Sequence, residues 1–166
     1  MVLWITIALV ALQRVAELIY VGRNTRALLA AGGVEVGAGH YPLIVALHAS
    51  WLGAIALFVP PTASVHWGLL GFYLILQVLR LWIIVTLGRF WTTRIITLPG
   101  APLIKHGPYR FLKHPNYLVV ILEIAALPLA FGAWELAAIF SVLNGGILAY
   151  RIKVENRVLA DRQDKT

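Results

Sequence analysis

The chain contains no cysteine, which excludes disulfides, thiolate metal sites and thiol nucleophiles and leaves its compartment open. Charge is scarce too. Only 13% of the 166 residues are charged, against about 25% in a soluble domain, and 60% are hydrophobic. With a mean hydropathy of +0.82, the composition implies an integral membrane protein. The net charge of +7 would suit a nucleic-acid partner, but no basic run stands clear of hydrophobic sequence. The expected place for that charge is loops at one membrane face, with no nucleic acid involved. The N-terminal MVLWITIALVALQRVAEL lacks a basic leading region and a small-residue cleavage signal. It reads as a retained membrane helix and not as a signal peptide.

What is there is a set of long apolar blocks. Spans are expected at about 2–21, 41–59, 67–87, 115–131 and 134–150. Each stretch is close to the ~20 residues needed to cross ~30 Å of hydrocarbon. Pro60-Pro61 stops the second span, and Pro128 is expected to kink the last turn of the fourth. Only Gly132-Ala133 separates the last two, which predicts a tight antiparallel helical hairpin. The fold class is therefore all-α integral membrane with five transmembrane helices, in one domain, 1–166. The tail, YRIKVENRVLADR, spaces Ile152, Glu155 and Leu159 as a short amphipathic helix, either continuing the fifth span or lying on the membrane surface.

Basic residues alternate between loops. Arg23 and Arg26 follow the first span, none follows the second, and Arg89, Arg94, Lys105, Arg110 and Lys113 follow the third. The hairpin tip has none, and the tail has Arg151, Lys153, Arg157, Arg162 and Lys165. The positive-inside rule then predicts an N-terminus outside, with the tail and both polar clusters in the cytoplasm of a bacterial-type inner membrane.

Those clusters are KHGPYRFLKHPNY, with the RFWTTRIITLPGAPLI before it, and RIKVE in the tail. The hairpin between them returns to its starting face, so they can meet. Gly107-Pro108 marks a turn, and His114-Pro115 marks a helix start whose free N–H groups and dipole favour an anion. Trp91, Tyr109 and Tyr117 offer faces to a cation or a flat ring, or else form an interfacial aromatic belt. Arg151 and Glu155 share a helix face, where a surface salt bridge is the simpler account. His106 and His114 are too far apart in sequence, and too short of accompanying carboxylates, to suggest a metal site.

Inside the spans lie Arg14, Glu17, Gln77, Arg80, Glu123, Asn144 and His48. Charges there need partners or an aqueous cavity, and Arg80 with Glu123 is the expected pair. Asn144-Gly145-Gly146 is expected to permit close helix approach or to admit a cofactor. The rival reading of Arg80 and Glu123 puts them in the wall of a lipid-accessible cavity.

G-P-Y-R-F-L-K-H-P-N-Y, a helical hairpin and then R-x-x-x-E resemble the isoprenylcysteine carboxyl methyltransferase family, integral membrane enzymes that use S-adenosylmethionine. The likeness covers about 92–159, which would be the cofactor-binding and catalytic part. Upstream, Arg23-Asn24, GHYP at 39–42 and LPGAP at 98–102 resemble a short bacterial branch, some of it associated with O-methylation of alkylpyrones. The resemblance implies that Ala101, Pro102, Leu103, Ile104, Tyr109, His114, Pro115, Asn116, Tyr117 and Glu155 contact S-adenosylmethionine. It puts Arg151 toward the substrate. The implied acceptor is lipophilic and enters from the bilayer, a hydroxy-alkylpyrone first and a lipid or prenyl carboxylate second. Where the family commonly has a second adjacent glutamate, this chain has Asn156. A membrane reductase using NADPH and a non-enzymatic helical scaffold are the competing readings.

Overall fold

The computed structural model describes residues 1–102 and 104–163, with the side chains of His40 and of 158–163 left aside. Five helices form in chain order: α1 (Val2–Ala30), α2 (Tyr41–Phe58), α3 (Trp67–Leu87), α4 (Pro115–Ala130) and α5 (Trp134–Gln163). Among the described residues, α1, α2, α3 and α5 are long and apolar enough to cross a membrane. At 16 residues, α4 covers only ~24 Å. It is also the most enclosed helix, packed against α3 and α5, with Ile124, Leu127 and Ala130 fully buried. Trp51 of α2 donates from Nε1 to the Ile124 carbonyl at 3.2 Å, which ties α2 to this central helix. The expected five-helix membrane architecture is present, with its hairpin turning at Gly132 (φ 75°).

One boundary differs from expectation. α1 runs on through Arg23 and Arg26 to Ala30, because RNTRALLA contains no glycine or proline before Gly32-Gly33. Twenty-nine residues span ~44 Å, so the last turns of α1 stand clear of the hydrocarbon. The tail continues α5 without a break, the first of the two forms expected of it. Leu159 lies beyond the described side chains.

A two-stranded antiparallel ribbon, β1 (Val34–Val36) with β2 (Ile95–Thr97), was not expected from the sequence. Three residues per strand is too short for a periodic signal. The ribbon clips the end of α1 to the loop after α3. Arg94 donates to Glu35 at 2.8 and 3.0 Å, and its guanidinium lies over the Tyr41 ring at 4.4 Å. Asn24, buried on the extension of α1, donates to the carbonyls of Gly88 at 3.0 Å and Trp91 at 2.9 Å. A loop that would otherwise hang free is thereby fixed under the helices.

Arg80 and Glu123 do pair, at 3.1 Å, within a larger network. Glu123 also accepts from Arg14 at 2.8 Å and from Gln77 at 2.9 Å. Glu17 accepts from Arg80 twice, at 2.7 Å each, and from Arg14 at 3.2 Å. Two cations and two anions, knitted together from α1, α3 and α4, offset one another's desolvation as an isolated charge could not. Gly145 and Gly146 face open space, where an added Cβ would meet nothing within 4 Å. The expected close helix approach is not made there.

Candidate active site

The site grows from three backbone features. Gly107 (φ 58°) opens a single 3-10 turn, Gly107–Arg110, pressed so close to α3 that a Cβ would lie 2.7 Å from the Thr86 hydroxyl. That turn places Tyr109 at the mouth of a cleft. Next, Pro115 begins α4 at the first helical position, with its fixed φ suited to that place and no amide proton to satisfy. Finally, α5 continues past the membrane and carries Arg151, Glu155 and Asn156 back over the start of α4.

There the two helices interlock. Arg151, 8% exposed, donates from Nε to the Tyr117 hydroxyl at 2.7 Å and from Nη1 to the Thr93 carbonyl. The Tyr117 hydroxyl in turn donates to Glu155 Oε2. The expected surface salt bridge between Arg151 and Glu155 is absent; the tyrosine joins them. His114 stacks on the Tyr117 ring at a centroid distance of 5.2 Å and meets Asn156 Oδ1 through Nε2 at 3.2 Å. Since a carboxamide oxygen only accepts, Nε2 carries the proton of that bond. His114 Nδ1 lies 3.8 Å from Glu155 Oε2. Asn156, where the family pattern has an acid, thus orients the histidine without adding charge.

These groups line a cleft of about 710 Å³. Ala101, Pro102, Ile104, Tyr109, His114, Asn116, Tyr117, Arg151 and Glu155 all face it. Pro115 does not; it is buried in the first turn of α4 and shapes the helix start. Leu103 lies outside the described residues. Burial, and then the Glu155 carboxylate, hold the Tyr109 hydroxyl above the usual phenol range, so it remains a donor. The cleft can hold a drug-sized polar ligand, with aromatic faces, a carboxylate and an unpartnered carboxamide oxygen on Asn116.

A second chamber of about 300 Å³ lies between α1, α2 and α5, inside the membrane-spanning part. Its walls are mostly apolar, among them Val15, Leu18, Ile44, Val45, Ile147 and Leu148. Val15 and Leu18 are 53% and 41% exposed on the outer surface of α1, so the chamber borders the lipid side. Trp91, Thr92, Asn116, Tyr117 and Arg151 line both cavities and form their common wall. Arg14 and Glu17 of α1 and His48 of α2, already notable as polar groups inside spans, also line it, while the apolar α1 and α2 positions carry no motif that marks them. Thr92 and Thr93 belong to the loop before the Gly107 turn, and their place here depends on the ribbon.

The isoprenylcysteine carboxyl methyltransferase family model matches residues 69–161. The chain belongs to this family. It is similar to the uncharacterized protein YpbQ of Bacillus subtilis (strain 168), 36% identical over 162 residues, 95% of this chain and 96% of that one. It is also similar to an uncharacterized protein of Haemophilus influenzae (strain ATCC 51907 / DSM 11121 / KW20 / Rd), 27% identical over 146 residues, 83% of each chain. No solved structure matches it. Family membership makes the protein a membrane methyltransferase, and the enzymes of this family use S-adenosylmethionine. The match begins in α3 and runs along α5 to residue 161, so it includes both polar clusters.

Proposed function

We propose that the protein is an S-adenosylmethionine-dependent O-methyltransferase acting on a lipophilic acceptor that enters from the bilayer. The observation that carries this reading is the common wall. A polar cleft outside the membrane and an apolar chamber within it meet at Arg151, Tyr117 and Asn116. Such a junction suits a reaction between a water-soluble donor and a membrane-soluble acceptor.

The cleft residues fit the cofactor chemically. Tyr109 and Tyr117 offer faces to a sulfonium or an adenine, and Glu155 offers carboxylate acceptance to ribose hydroxyls or an ammonium. Ala101, Pro102 and Ile104 would form the wall against the nucleoside, and His114 and the start of α4 would hold the carboxylate. Bound S-adenosylmethionine supplies an electrophilic methyl group for in-line displacement.

Arg151 is the residue assigned to the acceptor. Its Nε and Nη1 are committed to Tyr117 and Thr93, while Nη2 makes no hydrogen bond to a described residue. A guanidinium held rigidly by two bonds, with one nitrogen uncommitted at the junction, orients an oxygen anion. An acidic enol or a carboxylate has already lost its proton to water, so no base is required at the site. Alignment alone can supply up to ~7–11 kcal/mol of the barrier reduction. A hydroxy-alkylpyrone is the first acceptor proposed and a lipid or prenyl carboxylate the second. The alternation of basic loops supports an orientation with the cleft on the cytoplasmic side and the N-terminus outside.

Calorimetric titration of the detergent-purified protein with S-adenosylhomocysteine tests this. Wild type is expected to bind saturably and Glu155→Ala to lose binding. A folded wild type that ignores S-adenosylhomocysteine but binds NADPH would replace the reading with a reductase.

A further inference from the structure

The rim of the polar cleft carries positive charge that no described residue balances. Between Glu35 and Glu123 the chain has no acidic residue. Arg94, Lys105, Arg110, Lys113 and Arg151 line the cleft, and among the described residues Glu155 is its one carboxylate. Arg94 is answered by Glu35, and Arg151 is held against Tyr117 and Thr93. Lys105, Arg110 and Lys113 are exposed and form no ion pair with a described residue. Such a rim suits S-adenosylmethionine poorly. The ammonium and carboxylate of that cofactor cancel, and its sulfonium leaves a net positive charge. Three uncompensated cations at the mouth repel it unless an anion stands among them.

The same stretch exposes apolar side chains. Phe111 and Leu112, 73% and 46% exposed, lie between Arg110 and Lys113, with the Arg110 guanidinium 5.9 Å from the Phe111 ring centroid. Both ends of this stretch adjoin membrane-spanning surface. The turn before it is seated on Thr86, in the last turn of α3, where Trp82 and Val85 are exposed. The chain after it enters α4, where Leu118 and Ile121 are exposed as well. An anionic leaflet accommodates such a pattern, with the apolar side chains in the interface and the cations at the phosphates. A soluble acidic partner would have to compete with a leaflet already present at that edge.

We infer that Lys105, Arg110, Phe111, Leu112 and Lys113 form a docking surface for anionic phospholipid, whose headgroup phosphates neutralise the cleft mouth for a cationic cofactor. The effect on the cofactor rests on the proposed function and adds a lipid requirement to it. In a neutral bilayer the rim stays positive and S-adenosylmethionine binds weakly. In an anionic bilayer the phosphates offset the rim and the stretch is drawn to the surface. S-adenosylhomocysteine lacks the sulfonium charge, so its binding is nearly indifferent to the rim.

The test uses the full chain in nanodiscs of phosphatidylcholine, alone or mixed with phosphatidylglycerol. Because the chain has no cysteine, Phe111→Cys carries a single nitroxide label. In the anionic discs that label is expected to collide with oxygen in preference to a water-soluble nickel complex. A label that stays in water overturns the inference, as a face built for a soluble partner would. Calorimetry on wild type should show S-adenosylmethionine binding about tenfold tighter in the anionic discs, with S-adenosylhomocysteine nearly unchanged. About threefold of that gain is the enrichment of any monovalent cation at such a surface. The Lys105→Gln/Arg110→Gln/Lys113→Gln variant is expected to keep only this part. It should also bind S-adenosylmethionine more tightly than wild type in neutral discs. An equal gain in wild type and variant overturns the inference. So does a variant with wild-type melting that loses both ligands, which would make the three cations direct cofactor ligands. Failure of wild type to bind S-adenosylhomocysteine in either disc removes the proposed function itself, while the label still decides the docking surface.

Discussion

Arg151 and Glu155 lie one helical turn apart on α5, yet no ion pair joins them; the Tyr117 hydroxyl from α4 stands between, accepting from the guanidinium and donating to the carboxylate. Opposite charges on two residues of one helix are thus coupled through a third residue on another. The link fixes Arg151 toward the chamber and Glu155 toward the cleft, and it needs α4 and α5 in register.

Tyr117→Phe removes that link and keeps the ring. We expect S-adenosylhomocysteine affinity to fall roughly tenfold, because Glu155 loses a donor that holds its orientation. Acceptor turnover should fall further, since Arg151 Nε loses its partner as well. Calorimetry and a methyl-transfer assay on the same preparation separate the two effects. Unchanged affinity and turnover would show that the hydroxyl positions neither group.

Glu123→Ala leaves Arg14 and Arg80 with Glu17 as their one remaining carboxylate inside the membrane. Breaking a buried network on one side costs about 3–5 kcal/mol, so the variant should melt far below wild type in detergent. Replacing all four charges with apolar residues of similar volume should recover much of that loss.

Gly107→Ala puts a Cβ against Thr86 at a positive φ. The expected cost is about 1–3 kcal/mol, accompanied by weaker S-adenosylhomocysteine binding as Tyr109 shifts at the cleft mouth. Adding Thr86→Ala should restore part of the stability by relieving the contact. The remainder, about 1–2 kcal/mol, belongs to the backbone conformation and should persist in the thermal midpoint.

Arg94→Ala removes a partly solvent-exposed ion pair with Glu35 and the contact over Tyr41. Exposed pairs contribute about 0–1 kcal/mol, so the melting temperature should change by a few degrees at most. A large loss would mean that the ribbon carries more of the fold than its short strands suggest.

Much of the architecture was legible in the chain because the bilayer imposes a coarse rule. Apolar runs of about twenty residues, Pro60-Pro61, His114-Pro115 and Gly132-Ala133 mark where helices start and stop whatever surrounds them. The misjudged boundary lies outside that rule. Past Val21 the chain turns polar, and polarity ends a span without ending a helix. The ribbon of Val34–Val36 with Ile95–Thr97 pairs segments some sixty residues apart, and no local pattern announces it.

The site divides along the same line. Residue types and local spacing already required the Gly107 turn, the helix start at Pro115 and a shared face for Arg151 and Glu155, because these depend on neighbours in the chain. The direction each side chain faces was not settled there. That Asn24 holds Trp91, that the loop sets Thr93 against Arg151, and that Tyr117 separates a guanidinium from a carboxylate depend on five helices packing together. A sequence specifies which groups can donate, accept or bear charge. Only the packed helices determine which of those groups are already paired and which remain open to a ligand.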